Sequence, residues 1–315
     1  MIFLEMYGRT GNQLFRYAMA RSLQLSHYPE EELVISFDQI DQMALEDPTY
    51  YNALEDYHVA PYTVYPKKGK VLFNESSLLQ KLVLIPYYAG LRRFTPKQMT
   101  EQYRYQKKWE KYLNNQGLYW FRTGFIKPKY SKAKHKFVSG NLEAKAYFDE
   151  HRDILLKELQ PKYAPLPSND DLYKRIASTT SVCLSVRRGD FERDTTIKNL
   201  HSICDKSYFE RAIAKMKEIN PDVTFFMFSD DIEWVKENIV TDAPTYYESG
   251  DDPVWEKLRL MSSCQHFILS NSSFSWWSQY LSTAKDKLVI SPSKWFRNDY
   301  SADLIEKDWI LIDID

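Results

Sequence analysis

Between residues 181 and 291, short apolar runs and amphipathic stretches alternate with a regularity that few folds accommodate. Ser181 to Val186, Val223 to Phe228, Thr245 to Glu248, His266 to Ser270 and Leu288 to Ser291 read as strands. Lys206 to Glu218, Ile232 to Asn238, Val254 to Ser262 and Phe274 to Leu281 read as the helices between them. Repeated β-α-β units imply a parallel sheet with helices on both faces. Ligands of such sheets sit beyond the carboxyl ends of the strands. Three of those ends carry polar clusters: Arg187-Arg188-Gly189-Asp190, Ser229-Asp230-Asp231 and Ser270-Asn271-Ser272-Ser273-Phe274-Ser275.

Each cluster alone has a plain explanation. Arg-Arg-Gly-Asp is also a surface turn with one arginine paired to Asp190, and Ser, Asp and Asn are the usual helix N-caps. Together they suggest more. Two guanidinium forks fit a pyrophosphate bidentately, and carboxylates and hydroxyls at neighbouring strand ends suit ribose, base and phosphate oxygens. The convergence of three clusters on one sheet edge points to a nucleotide.

The amino-terminal part begins as strand, loop and helix, with Ile2 to Met6 extended, Gly8-Arg9-Thr10-Gly11 as a tight turn and Asn12 to Leu25 helical. The glycine spacing is not that of the dinucleotide fingerprint. A glycine loop opening a helix can still offer backbone N–H groups to an anion. From Ser26 to Leu142 periodicity is weak and aromatic residues are dense, among them Tyr103, Tyr105, Trp109 and Trp120. Arg92, Arg93, Lys107, Lys108, Lys111, Lys127, Lys129 and Lys134 are interleaved with them. Such a surface suits sugar rings or anionic lipid headgroups, and a solvated helix face also accounts for the charge run. A strand at Lys136 to Ser139 and a helix from Ala144 to Leu159 close this part. Pro161, Pro165 and Pro167 mark residues 161–171 as a linker between an acceptor-side domain, 1–160, and a nucleotide-binding domain, 172–315.

With 42 Lys and Arg against 43 Asp and Glu, the chain lacks the basic excess that nucleic-acid binding requires. Its three cysteines have no metal-ligand spacing and fit a reducing cytoplasm. Without a leader-like start or an apolar run of membrane-spanning length, the chain is expected to be cytoplasmic, in peripheral contact at most with the inner membrane face. The Asn-x-Ser/Thr sequences at Asn74 and Asn271 are then not glycosylated.

Gly8 to Ala18, Arg187-Arg188-Gly189-Asp190, Phe228-Ser229-Asp230-Asp231 and Met261 through Trp277, with Val289 to Phe296 in support, resemble the α-1,2-fucosyltransferases of glycosyltransferase family 11. The resemblance implies a GT-B architecture of two Rossmann-like domains facing across a cleft. It also implies a GDP-fucose donor, a β-galactoside-type glycan acceptor modified at its 2-hydroxyl with inversion, and no metal. Carried onto this sequence, it makes Arg187 and Arg188 the stabilisers of the departing diphosphate and Asp190 the candidate base. Gly11, Asn12, Gln13, Asp230, Asp231, Asn271, Ser272, Ser273 and Ser275 become donor contacts. The chain departs from the pattern at Ser185, where the family has histidine, at Phe191 for tyrosine, and at Arg9 and Thr10 in the first loop. Three alternatives stay open. A related enzyme would use another nucleotide sugar, a phosphotransferase would bind metal at Asp230 and Asp231, and a noncatalytic glycan binder would use the aromatic segment.

Overall fold

A computed structural model describes residues 1–189, 200, 202–298 and 300–314. The chain divides into two compact units, Met1–Gln160 and Pro161–Asp315. The first holds a five-stranded sheet of β1 (Ile2–Glu5), β2 (Leu33–Ser36), β3 (Thr63–Val64), β4 (Leu118–Phe121) and β5 (Lys136–Gly140). Every pairing is parallel, in the order β3-β2-β1-β5-β4.

The second unit holds β6 (Thr180–Val186), β7 (Val223–Ser229), β8 (Thr245–Tyr247), β9 (His266–Ile268), β10 (Val289–Pro292) and β11 (Ile310–Ile312). They pair in parallel in the order β11-β10-β9-β6-β7-β8. The chain thus winds outward from β6 in one direction through β7 and β8, then returns and winds the other way through β9, β10 and β11. This is the Rossmann-like strand order, and it reverses between β6 and β9. In the first unit β1 and β5 are neighbours, although β2, β3 and β4 lie between them in the chain. Crossover loops leave to opposite sides at a reversal, which opens a crevice at the carboxyl edge.

Burial explains why these segments are strands. β1, β2, β4 and β5 are buried along their whole length, as are all seven residues of β7 and all of β6 after Thr180. A strand covered on both faces needs a continuous apolar run, such as Phe225-Phe226-Met227-Phe228, with its backbone groups satisfied by neighbouring strands. Val182, Leu184, Phe225, Met227 and Ile268 form one core with Tyr208, Phe209, Ala212 and Met216 of the Lys206–Ile219 helix. Trp276 and Trp277 anchor the Ser273–Leu281 helix without exposure.

Sequence expectations hold for the alternating half and for β1 and β5, and fall short at several other elements. The first helix spans Thr10–His27, so Thr10 and Gly11 belong to its first turn and not to a preceding tight turn. No single helix covers 144–159. Two 3-10 turns, Lys145–Tyr147 and Asp149–His151, precede a short helix at Arg152–Glu158. Tertiary packing overrides the local periodicity there, because Phe148 is buried at φ −144° with its ring 5.9 Å from Phe15. The proline-rich stretch ends in order, with a 3-10 turn at Pro167–Asn169 and a helix from Asp170 to Ser178.

Candidate active site

At the end of β6 the backbone delivers Arg187 and Arg188, and at the end of the adjacent β7 it delivers Asp230 and Asp231. Strand register makes this meeting unavoidable, since Val186 pairs with Ser229. Arg187 Nη1 lies 2.7 Å from Asp230 Oδ2, and Arg188 Nε lies 3.2 Å from Asp231 Oδ2. Asp230 Oδ1 also accepts the Arg188 backbone N–H at 2.9 Å. The Arg188 guanidinium stacks 3.8 Å above the Trp234 ring, while Asp231 Oδ1 caps the following helix at the Trp234 N–H. Gly189 leaves room for this packing, because a Cβ there would crowd Asp230 Oδ2. Each arginine is therefore fixed by a carboxylate and keeps partial exposure. Fixed cations at a reversal point are a ready cradle for a diphosphate.

The residue types of Asp230 and Asp231 suggest ligand contacts, but in the fold both carboxylates fasten the arginines, and Asp231 also fastens the helix start. Arg187 pairs with Asp230. Asp190 and Phe191 lie outside the described residues.

Beyond β9, Ser275 is buried and its hydroxyl lies 2.6 Å from that of Ser185 and 3.0 Å from that of Ser270. Ser185 therefore belongs to a hydroxyl network at the end of β6. Asn271 is buried and bridges two segments, donating to the Trp295 carbonyl at 3.0 Å and accepting from Cys204 Sγ at 3.4 Å. Asn271 and Ser275 thus shape the loop, while Ser272 and Ser273 are half-buried at the start of the Ser273–Leu281 helix, where N–H groups and the helix dipole favour an anion. Glu248, after β8, carries no sequence signal that marks it. It is buried, accepts the Ser229 N–H at 3.1 Å and pairs with Lys257 at 2.8 Å, so it fixes the turn that carries Asp230. Burial raises its pKa against the pull of Lys257.

The first unit has its own cluster at the carboxyl ends of β1 and β5. Gly8 takes φ +80° after β1, and the helix it introduces presents Asn12, Gln13 and Arg16. Gln13 is buried and its amide is engaged three times. It donates to the carbonyls of Gly8 at 3.0 Å and Tyr51 at 2.9 Å, and accepts the Ala53 N–H at 3.0 Å. Those bonds secure the glycine loop, as does Arg9, paired with Asp47 at 2.9 Å. Gly11 is buried within the first helical turn. Asn12 reaches a titratable partner, donating from Nδ2 to Glu143 Oε1 at 3.1 Å.

Glu143 arrives from the end of β5 through two left-handed residues. Gly140 has φ +109°, and a Cβ on it would lie 1.9 Å from the Phe121 carbonyl oxygen. Leu142, at φ +60°, is in a conformation that costs a branched residue energy. The Glu143 side chain keeps partial exposure, yet burial of its carboxyl raises its pKa to about 7 against the lowering pull of Arg16. Arg16 is itself buried, donates from Nη1 to the Glu5 carbonyl at 3.2 Å and lies 5.3 Å from the Tyr7 ring centroid. Burial lowers its pKa to about 10, offset in part by Glu143, Glu5 and Tyr7. A carboxyl near neutrality suits proton transfer. Nothing in the Asn-Leu-Glu sequence announces this, since the shift comes from burial and is set against the charge of Arg16.

The aromatic segment is not an open sugar platform throughout. Trp120 is buried and stacked on Tyr88 at 5.0 Å, Tyr105 stacks on Tyr87 at 5.8 Å, and Tyr103 donates to the Phe125 carbonyl at 3.1 Å. These rings join the Leu78–Leu91 and Met99–Asn115 helices to β4.

The family model "Glycosyl transferase family 11" matches residues 1–313. The chain is 28% identical over 314 residues to an O-antigen biosynthesis glycosyltransferase, WbnK, of Escherichia coli, covering 96% of this chain and 97% of the relative. It is 31% identical over 202 residues to an α-1,2-colitosyltransferase of Escherichia coli, covering 60% of this chain and 69% of that protein. A segment of 105 residues is 29% identical to human galactoside α-(1,2)-fucosyltransferase 1, covering 32% and 29% of the two chains. The chain belongs to glycosyl transferase family 11.

Proposed function

We propose that this glycosyltransferase moves L-fucose from GDP-fucose to the 2-hydroxyl of a galactoside-type acceptor glycan, inverting the anomeric centre, in the synthesis of a surface polysaccharide. The observation that carries the reading is the arginine pair held by Asp230 and Asp231 at the reversal point of the second sheet. As the bond between fucose C1 and the β-phosphate oxygen breaks, its electron pair stays on the diphosphate. Arg187 and Arg188 meet that growing charge, an interaction stronger in the transition state than in the ground state. The helix start at Ser272 and Ser273 supports the same phosphates. The acceptor oxygen bonds to C1 from the opposite face, and its proton passes to a carboxylate base, for which Asp190 and Glu143 are the candidates.

The guanidinium pair supplies the positive charge in this reading, so turnover needs no metal. The three free cysteines fit a cytoplasmic enzyme. A second reading keeps every residue and changes the donor to nucleotide-linked colitose, favoured by the 31% identity to a colitosyltransferase. Both relatives named for a linkage are named α-1,2. Turnover of GDP-fucose, nucleotide-linked colitose and UDP-sugars on β-galactosides in EDTA tests both, with the product linkage read by NMR. Exclusive use of a UDP-sugar would exclude both donors, and activity abolished by EDTA and restored by manganese would refute the metal-free mechanism.

A further inference from the structure

The Leu78–Leu91 helix is apolar on two opposite faces. Gln80, Leu84, Tyr87 and Leu91 form one stripe, buried against the first sheet, with Tyr87 donating to the Trp120 carbonyl at 2.7 Å. Leu78, Leu82, Ile85 and Ala89 repeat the same spacing two positions away, which on an α-helix is the opposite side. Leu78 is 77% exposed, Leu79 and Leu82 66% each, and Ile85 56%. No other helix among the described residues exposes four large aliphatic side chains.

Charge says what covers this face. From Leu78 to Asn115 the chain carries Lys81, Arg92, Arg93, Lys97, Arg104, Lys107, Lys108 and Lys111 against only Glu101 and Glu110, in a protein whose net charge is -1. Arg92 and Arg93 are exposed at the carboxyl end of the helix. Arg104, Lys107, Lys108 and Lys111 are exposed on the Met99–Asn115 helix, which packs on it through Tyr105, hydrogen-bonded to the Tyr87 carbonyl at 3.1 Å. We infer that this helix pair docks on an anionic lipid bilayer, the leucines entering the acyl boundary and the basic residues meeting phosphate headgroups. At 14 residues the helix is about 21 Å long, too short to span, and no described helix is long and apolar enough to cross a membrane. An apolar stripe flanked by Lys and Arg is what an interfacial helix requires. A protein partner with an apolar groove would not need eight cations beside it.

The test is co-sedimentation of the full chain with vesicles of phosphatidylglycerol and phosphatidylethanolamine, and with vesicles of phosphatidylcholine alone. Binding is expected to the anionic vesicles and to be about tenfold weaker or less on the neutral ones, with loss at high salt. Leu79→Glu with Leu82→Glu should reduce binding about tenfold or more, as should Lys107→Glu with Lys108→Glu and Lys111→Glu. All five positions are exposed, so melting temperature and turnover of a soluble acceptor should stay near wild type. Absence of binding to anionic vesicles, or binding unchanged in both variants, overturns the inference. So does self-association abolished by the leucine variant in a chain that ignores vesicles, because the face then covers a second copy. None of these outcomes depends on the donor sugar.

Discussion

The carboxyl edges of the two parallel sheets are charged differently. In the second unit, the carboxyl edge holds two arginines whose partners come from the next strand, in bonds of 2.7 and 3.2 Å at partly exposed positions. In the first, one arginine lies buried with Nε unpartnered among the described residues, and the carboxyl near it titrates at about 7. One edge therefore presents a pair of guanidinium groups held by carboxylates. The other presents a group that changes protonation at about pH 7. Burial is the variable that separates the two edges.

The comparison is broken most directly at Arg187. Replacing it with alanine should lower kcat by about 100-fold or more, the scale of losing one strong transition-state donor, with donor KM much less affected. Arg187→Lys keeps the charge without the planar fork and should recover only part. If the variants instead melt far lower while the folded fraction turns over normally, Arg187 only ties Asp230 in place, and the fixed-charge half of the comparison fails.

Glu143→Gln should lower kcat by about 100-fold, the lower part of the range for general base catalysis. Wild-type kcat/KM should rise with pH and level off above about pH 7, where the carboxylate is ionised. The variant should lose that acid limb. A variant with the same limb at reduced height would move the proton acceptor elsewhere.

Gly189→Ala sharpens the role of geometry. Its Cβ displaces Asp230 Oδ2, the atom that holds Arg187, and should cost about tenfold in kcat with the fold intact. An unchanged kcat would mean the arginine is held by other means.

The smallest effect is on stability. A glutamate with a reference pKa of 4.5 is raised to about 7 here, so folding favours its protonated form. The stability this confers is complete below pH 4.5 and is lost as pH rises through 7. Asn12, on the first helix, donates to the carboxyl, and the Arg16 charge limits the shift. Glu143→Gln should therefore melt higher than wild type above pH 7, by about a few degrees, and show no gain near pH 4. Scanning calorimetry at both pH values reads it, and equal melting temperatures at both would place the carboxylate in water.

What can be read from the chain tracks how local its cause is. The alternating half is legible because strands covered on both faces must be continuous apolar runs, and the following Ser, Asp or Arg falls at the carboxyl edge by chain direction alone. The Leu78–Leu91 helix escapes sequence reading because its periodicity is blurred by a second apolar stripe. Among the site residues, sequence brings Arg187, Arg188, Asp230 and Asp231 to one edge without saying that the carboxylates hold the arginines. That follows from the pairing of Val186 with Ser229, a matter of register. It draws Gln13 and Asn271 toward a ligand, whereas their amides bridge backbone segments that only the folded chain brings together.

The sequence by itself determined the parallel second sheet, the polar groups at its carboxyl edge and the family, since these depend on residue type and order. Tertiary structure alone decided which of those groups face one another and which carboxyl titrates near neutrality. A pKa depends on what burial removes and on charges that arrive from distant segments, as Arg16 reaches Glu143 across 127 positions of the chain.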